Sequence, residues 1–195
     1  MARNTENAST PNRNRWRLAI WSTAALLLLL LLSLLLLPAM AMRFTGEVNW
    51  TASDFIVMGV MLTAACGAYE LLARTTSNTS YRAAIGIAIL TAFLTVWVNA
   101  AVGMLGSDDN PDNLLFGAVL GVGIIGAILS WFRPIGMARA MEAAAIAQAA
   151  MTVYALVGGY AEVVVHVGLF IIPWVLSAQL FRKAAREQAT GRAAE

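Results

Sequence analysis

An all-α, polytopic transmembrane bundle of six helices, arranged as antiparallel up-and-down hairpins, is predicted by three features of the 195-residue sequence. Hydrophobic residues make up 59% of it and charged residues 12%, against about 45 to 50% and about 25% in an ordinary soluble domain. The apolar residues gather into six blocks, and a hydrocarbon core about 30 Å thick needs roughly 20 such residues per crossing. Basic and acidic residues alternate from one connection to the next. Mean hydropathy is +0.70, and six spans with short loops leave no room among the 195 residues for a separate soluble domain.

Residues 1–16 are polar, lack apolar periodicity and read as a disordered cytoplasmic tail. A leucine-rich run broken by Ser33 gives the first span, 18–41. Arg13, Arg15 and Arg17 precede it and Ala39-Met40-Ala41 follows, which imitates a secretory signal. Signal cores run about 7 to 15 residues, so this longer run predicts an uncleaved anchor.

The next three spans cover 55–73, 83–105 and 114–132. The fifth, 140–160, is alanine-rich and carries Gln148 and Thr152, so its insertion depends on neighbouring helices that accept it. The sixth, 163–181, carries His166 and Pro173, and an internal proline predicts a kink there. Residues 183–195 form a second cytoplasmic tail.

Orientation follows from Lys and Arg, which are retained on the cytoplasmic side. With the N-terminus inside, Arg3, Arg13, Arg15, Arg17, Arg74, Arg82, Arg133, Arg139, Arg182, Lys183, Arg186 and Arg192 fall inside, and Arg43 alone falls outside. The outer connections hold Glu47, Asp54, Asp108, Asp109, Asp112 and Glu162. A bacterial inner membrane with both termini cytoplasmic satisfies every crossing.

Equal separations of Asp54 from Arg74 and of Asn113 from Arg133 suggest a weak repeat, although equal bilayer thickness predicts the same spacing. A true repeat would make the second to fifth helices a four-helix core flanked by the first and sixth. Gly117 and Gly121, four apart, with Gly123 and Gly126 beyond them, suit close backbone packing within the chain or in a homo-oligomer.

Three segments, FTGEVNW from Phe44, VNAAVGMLGSDDNPDN from Val98 and FRPIGMARA from Phe132, resemble a family of small, uncharacterised bacterial multi-pass inner-membrane proteins. The resemblance covers roughly residues 44–188 and implies membrane location, with no activity or functional residue to transfer.

Among residues that could carry chemistry, the loop Ser107-Asp108-Asp109-Asn110-Pro111-Asp112-Asn113 is the densest polar cluster, on the same side as Glu47 and Asp54. Hard oxygen ligands suit a divalent cation. The loop lacks the glycine and terminal glutamate of an EF-hand, and Asp or Asn ahead of a helix also serves N-capping. Asn99 is read either as interhelical glue or, beside Trp97, as the lining of a polar pocket open to that loop.

Glu70 and Glu142 are candidate intramembrane ionisable groups. Glu70 can pair with Arg74 four residues on, and Glu142 lies three after Arg139. Glu162 and His166, four apart, are expected on one side of the sixth helix, and two ligands fall short of the three or four that a zinc site uses. Trp50, Tyr154, Tyr160 and Trp174 stand near span ends, where aromatic belts form. The single cysteine, Cys66, excludes an intrachain disulfide and reads as a small core residue.

No nucleophile with a neighbouring base and no phosphate-cradling glycine loop stands out, so neither enzymatic activity, a cofactor, a metal nor a nucleic-acid partner is expected. The expected partners are the lipid bilayer and a second copy or another membrane protein. The expected function is that of an accessory, structural or interaction component of the membrane. The alternative is a small transporter or channel for a cation or proton, with Asn99, Glu70 and Glu142 behind an acidic mouth.

Overall fold

The computed structural model describes residue 33 and residues 35–44, 49–107 and 109–193, and every regular element among them is helical. Most of the expected first span, the tail 1–16, Glu47 and Asp108 lie outside the described residues. A short helix, α1 (Leu35–Phe44), is followed by α2 (Ala52–Ala73) and α3 (Thr79–Val102). A 3-10 turn at Pro111–Leu115 leads directly into α4 (Phe116–Leu129), and α5 (Pro134–Val157), α6 (Val164–Leu169) and α7 (Ile171–Ala193) complete the chain. Counting the 3-10 turn with α4, and α6 with α7, five described helical stretches are long and apolar enough to cross a membrane. The chain is therefore described as membrane-embedded.

It divides into two compact units between Cys66 and Gly67. In the first unit, α2 starts on two local devices. Thr51 donates through N and Oγ1 to Asp54 Oδ2 at 2.7 and 2.8 Å, while Asp54 N donates back to Thr51 Oγ1 at 3.4 Å. Trp50, just outside this capping box, packs edge-on against Phe55 at 5.2 Å between ring centroids, a hydrophobic staple that fixes how the chain enters the helix. Leu35 of α1 lies 3.9 Å from where a Cβ on Gly59 would stand, so α1 packs close to α2.

In the second unit, α5 is the hub, packed against both α4 and α7, and α3 packs against α7. Contact register gives the directions. Gly126 meets Ala140 and Gly123 meets Ala144, so α4 and α5 run antiparallel. Gln148 meets Val167 while Glu142 meets Arg182, and Ser177 meets Ala84 while Glu187 meets Ser80, so α7 is antiparallel to both α5 and α3. The last helix thus lies between α3 and α5 rather than on the flank of a four-helix core.

This placement explains the composition of α5. It is the most buried of the five candidate spans, 39% of its window against 11% for α2. Ala138, Ala140, Ala144 and Ala145 are buried there with Ala178 and Ala184 of α7, so backbones approach closely where side chains are short. A helix shielded by its neighbours needs less hydrophobicity of its own to sit in lipid. A second cluster, Met104, Leu105, Phe116, Val119, Met151, Ala155 and Val167, fills the other end of the unit.

Helix ends account for the departures from the expected spans. Pro134 starts α5 at a first-turn position, where its missing N–H is not needed, six residues before the expected 140. After Val157 the chain closes with Gly158 N bonded to Tyr154 O, Tyr160 N bonded to Ala155 O, and Gly159 at φ +86°. The longer bond and the left-handed glycine match the C-terminal signature of a Schellman cap. Helical pairing lapses at Phe170 alone, whose backbone stays right-handed (φ −68°, ψ −14°), and Pro173 occupies the first turn of α7 just beyond, so the expected sixth span continues as one helical stretch with a one-residue break. Beyond residue 181, α7 remains helical to Ala193.

Candidate functional site

The loop between α3 and α4 is built by three asparagines. At Gly103 (φ +69°) and Gly106 (φ +87°) the backbone takes conformations that favour glycine, which lets Met104 and Leu105 fold into the second cluster. Asn113, buried, accepts from Leu105 N at 2.9 Å and donates to Ser107 O at 2.6 Å. Asn110 caps the 3-10 turn by accepting from Asp112 N at 3.0 Å, and its amide donates to Leu105 O and to Tyr160 Oη. From the last turn of α3, Asn99 donates to Asn113 O at 2.9 Å and accepts from Met104 N at 3.3 Å.

Asp112 is held from the other connection. Tyr154 near the end of α5 donates to Asp112 Oδ2 at 2.8 Å, and Tyr160 approaches the same oxygen at 3.4 Å. The α5 cap described above is what aims Tyr160 back at the loop. Buried amides left without partners would each cost roughly 1 to 3 kcal/mol, so the closed network gives this loop one conformation.

The expected cation site is distributed differently. Asp112 serves two phenols, Asp54 serves its own helix cap and Asp109 is exposed. Among the described residues, no group of three or more His, Cys, Asp or Glu side chains could hold a metal ion. Asn99 joins α3 to the loop, and Trp97 stays at the outer surface against Phe93, 5.7 Å between ring centroids, instead of lining a pocket beside it.

The intramembrane candidates do not converge. Glu70 pairs with Arg74 at 2.5 Å along α2. Glu142 turns away from Arg139 and reaches Arg182 on α7 at 2.6 Å, an ion pair whose angles fall outside those of a directed hydrogen bond. Glu162 lies in the turn before α6, so it does not share a helical face with His166, and both side chains are exposed. A one-turn helix starting at Val164 is too short to include both.

The glycines sort by face. Cβ atoms added at Gly117 and Gly121 would meet nothing within 4 Å, whereas one at Gly126 would come within 2.7 Å of Ala140 Cβ. At 3.6 residues per turn, the nine residues between Gly117 and Gly126 rotate the helix by about two and a half turns, so the two point oppositely. Close packing inside the chain belongs to Gly123 and Gly126, leaving Gly117 and Gly121 on an open face.

Several contributors were not singled out by spacing. Gln148, fully buried, donates to Val167 O at 2.9 Å, satisfying a carbonyl near the break between α6 and α7. Pro173 just beyond that break is the signal that pointed to it. Trp174 leaves the expected aromatic belt and is buried beside Met141 and Ala144. Gln148 Oε1 and Trp174 Nε1 are both buried without a protein partner. Tyr81 of α3 donates to Phe132 O across the unit and stacks edge-on with Phe181 at 5.0 Å.

Comparison with known proteins gives no match: no family model, no curated protein and no solved structure is similar to the chain.

Proposed function

We propose that this chain is a six-span protein of the bacterial inner membrane, with both termini cytoplasmic, that acts by interaction as an accessory or structural component. The spans alternate as up-and-down hairpins, and the three resembling segments support the bacterial setting. The reading excludes catalysis and takes the bilayer and a second copy of the chain as partners.

The observation that carries it is the pairing of the carboxylates. Glu70 with Arg74, Glu142 with Arg182 and Asp112 with two tyrosines are each committed to holding a helix or a loop in place. On α4 the open Gly117 and Gly121 give a flat strip on which a second backbone can approach closely. The test is crosslinking and native mass spectrometry in mild detergent. A dimer that Gly121→Leu converts to monomer is expected, and a solitary monomer with no copurifying partner counts against it.

A second reading, a small transporter or channel for a cation or proton, is favoured by the one-residue break at Phe170 in the sixth span. Discontinuous helices line the binding sites of many transporters, and here the break adjoins the unpaired Gln148 Oε1. Flux into liposomes under imposed pH and ion gradients is its test, and flux equal to empty vesicles eliminates it.

A further inference from the structure

One end of the second unit concentrates positive charge that no carboxylate among the described residues neutralises. Three contacts draw its segments together. Tyr81 Oη donates to Phe132 O, joining the start of α3 to the α4–α5 turn. Glu187 of α7 accepts from Asn78 Nδ2 at 2.9 Å and from Ser80 Oγ at 3.1 Å, joining the end of α7 to the start of α3. Tyr81, Ala138, Ala140, Phe181 and Ala184 then share one core cluster.

Arg82, Arg133, Arg139 and Arg186 each stand next to or within two residues of these contacts, and all four are exposed. The neighbouring cations Arg74, Arg182 and Lys183 are paired with Glu70, Glu142 and Glu187. Among the described residues, the four arginines have no carboxylate partner. A planar guanidinium presents a fork of donors that matches a phosphate oxygen pair, and its aliphatic stem can lie along apolar surface.

The adjoining turn is shaped for an interface. Trp131 and Phe132 have φ of +51° and +56°, and Phe132 N donates to Ala127 O while Trp131 N donates to Ile128 O. That is a Schellman cap with tryptophan at the position where glycine is usual, a backbone region that disfavours bulky residues. The Trp131 ring is 83% exposed, two residues before Arg133. Tryptophan is enriched at the headgroup level of membranes.

We propose that this end binds the phosphate headgroups of anionic phospholipids, with Arg82, Arg133, Arg139 and Arg186 as the charged contacts and Trp131 as the interfacial anchor. The proposal uses the membrane-embedded fold alone, so it stands or falls independently of self-association. Clustered Lys and Arg next to spans attract anionic lipids, each cation contributing on the order of fivefold in binding.

The full-length protein is mixed in detergent with equimolar phosphatidylglycerol and phosphatidylcholine, and retained lipid is measured by native mass spectrometry. The native protein is expected to retain the anionic lipid preferentially. In the double variant Arg133→Gln and Arg186→Gln that preference should fall by on the order of 25-fold. Arg43→Gln, at a cation outside the cluster, should leave it unchanged. Arg133→Lys with Arg186→Lys keeps the charge and should retain most of it, which separates lost binding from lost folding. Equal retention of both lipids by the native protein, an unchanged preference in the Gln variant, or an equal loss in Arg43→Gln or the Lys variant would overturn the proposal.

Discussion

The two ends of the second unit are held by different forces. At the α3–α4 loop, Asn99, Asn110, Asn113 and Asp112 saturate one another and the backbone with hydrogen bonds from two tyrosines, so polar capacity is spent inside the protein. At the α4–α5 turn, apolar packing and close backbone approach add to the bonds of Tyr81 and Glu187, and among the described residues four exposed arginines have no carboxylate partner. The difference teaches that density of polar residues is a poor guide to function here. The crowded end is a brace, whereas the other end keeps four exposed arginines for the proposed lipid contact.

The largest expected effect tests the packed end. A Cβ at Gly136 would lie 2.3 Å from Ser130 Cβ and 3.3 Å from its Cα, so Gly136→Ala forces the turn apart. A loss of about 3 kcal/mol is expected from such overpacking, read as a shift in equilibrium unfolding in mixed micelles. A neutral outcome would mean that this turn is not the tight joint described.

Next comes the braced end. Asn113→Ala removes an acceptor from Leu105 N and a donor to Ser107 O, leaving buried backbone groups unpaired. The expected cost is roughly 2 to 3 kcal/mol, with faster hydrogen exchange confined to residues 103–116. Exchange spreading evenly through the unit would contradict a local brace. Tyr154→Phe, which deletes one exposed bond to Asp112, should cost only about 0.5 to 1 kcal/mol in the same assay.

The smallest effect is at the open face of α4. Gly117→Ala meets no atom within 4 Å and should be neutral, or stabilising by up to about 1 kcal/mol through helix propensity. Stability falling as far as for Gly136→Ala would show that the Gly117 face is packed after all.

Element existence was legible because bilayer thickness imposes long uncharged runs, and five described stretches of that kind fall where apolar blocks stand. Which face of each helix turns inward was not legible. In lipid both the packed and the exposed faces are apolar, so a 3.6-residue period carries little of the signal it carries in a soluble protein. Gly117 and Gly126 are the same residue on one helix with opposite surroundings, and only the position of α5 separates them. The central place of α7 was hidden for the same reason.

At the polar residues, local pairs were readable and long-range ones were not. Glu70 with Arg74 follows from one helical turn, but Glu142 with Arg182 depends on α7 returning beside α5. A capping Asp or Asn in this loop follows from its place ahead of a helix, whereas the bond of Asn110 to Tyr160 requires the α5 cap to fold back. The Gln148 contact to Val167 needed both the break and the neighbouring helix in place.

Accessibility labelling tests most directly whether the braced loop and the arginine-bearing end face opposite sides of one bilayer. In a Cys66→Ser background, Asp109→Cys should react with an impermeant maleimide added to spheroplasts. Arg186→Cys should react only after the membrane is opened. Labelling of both positions from the same side would contradict the account.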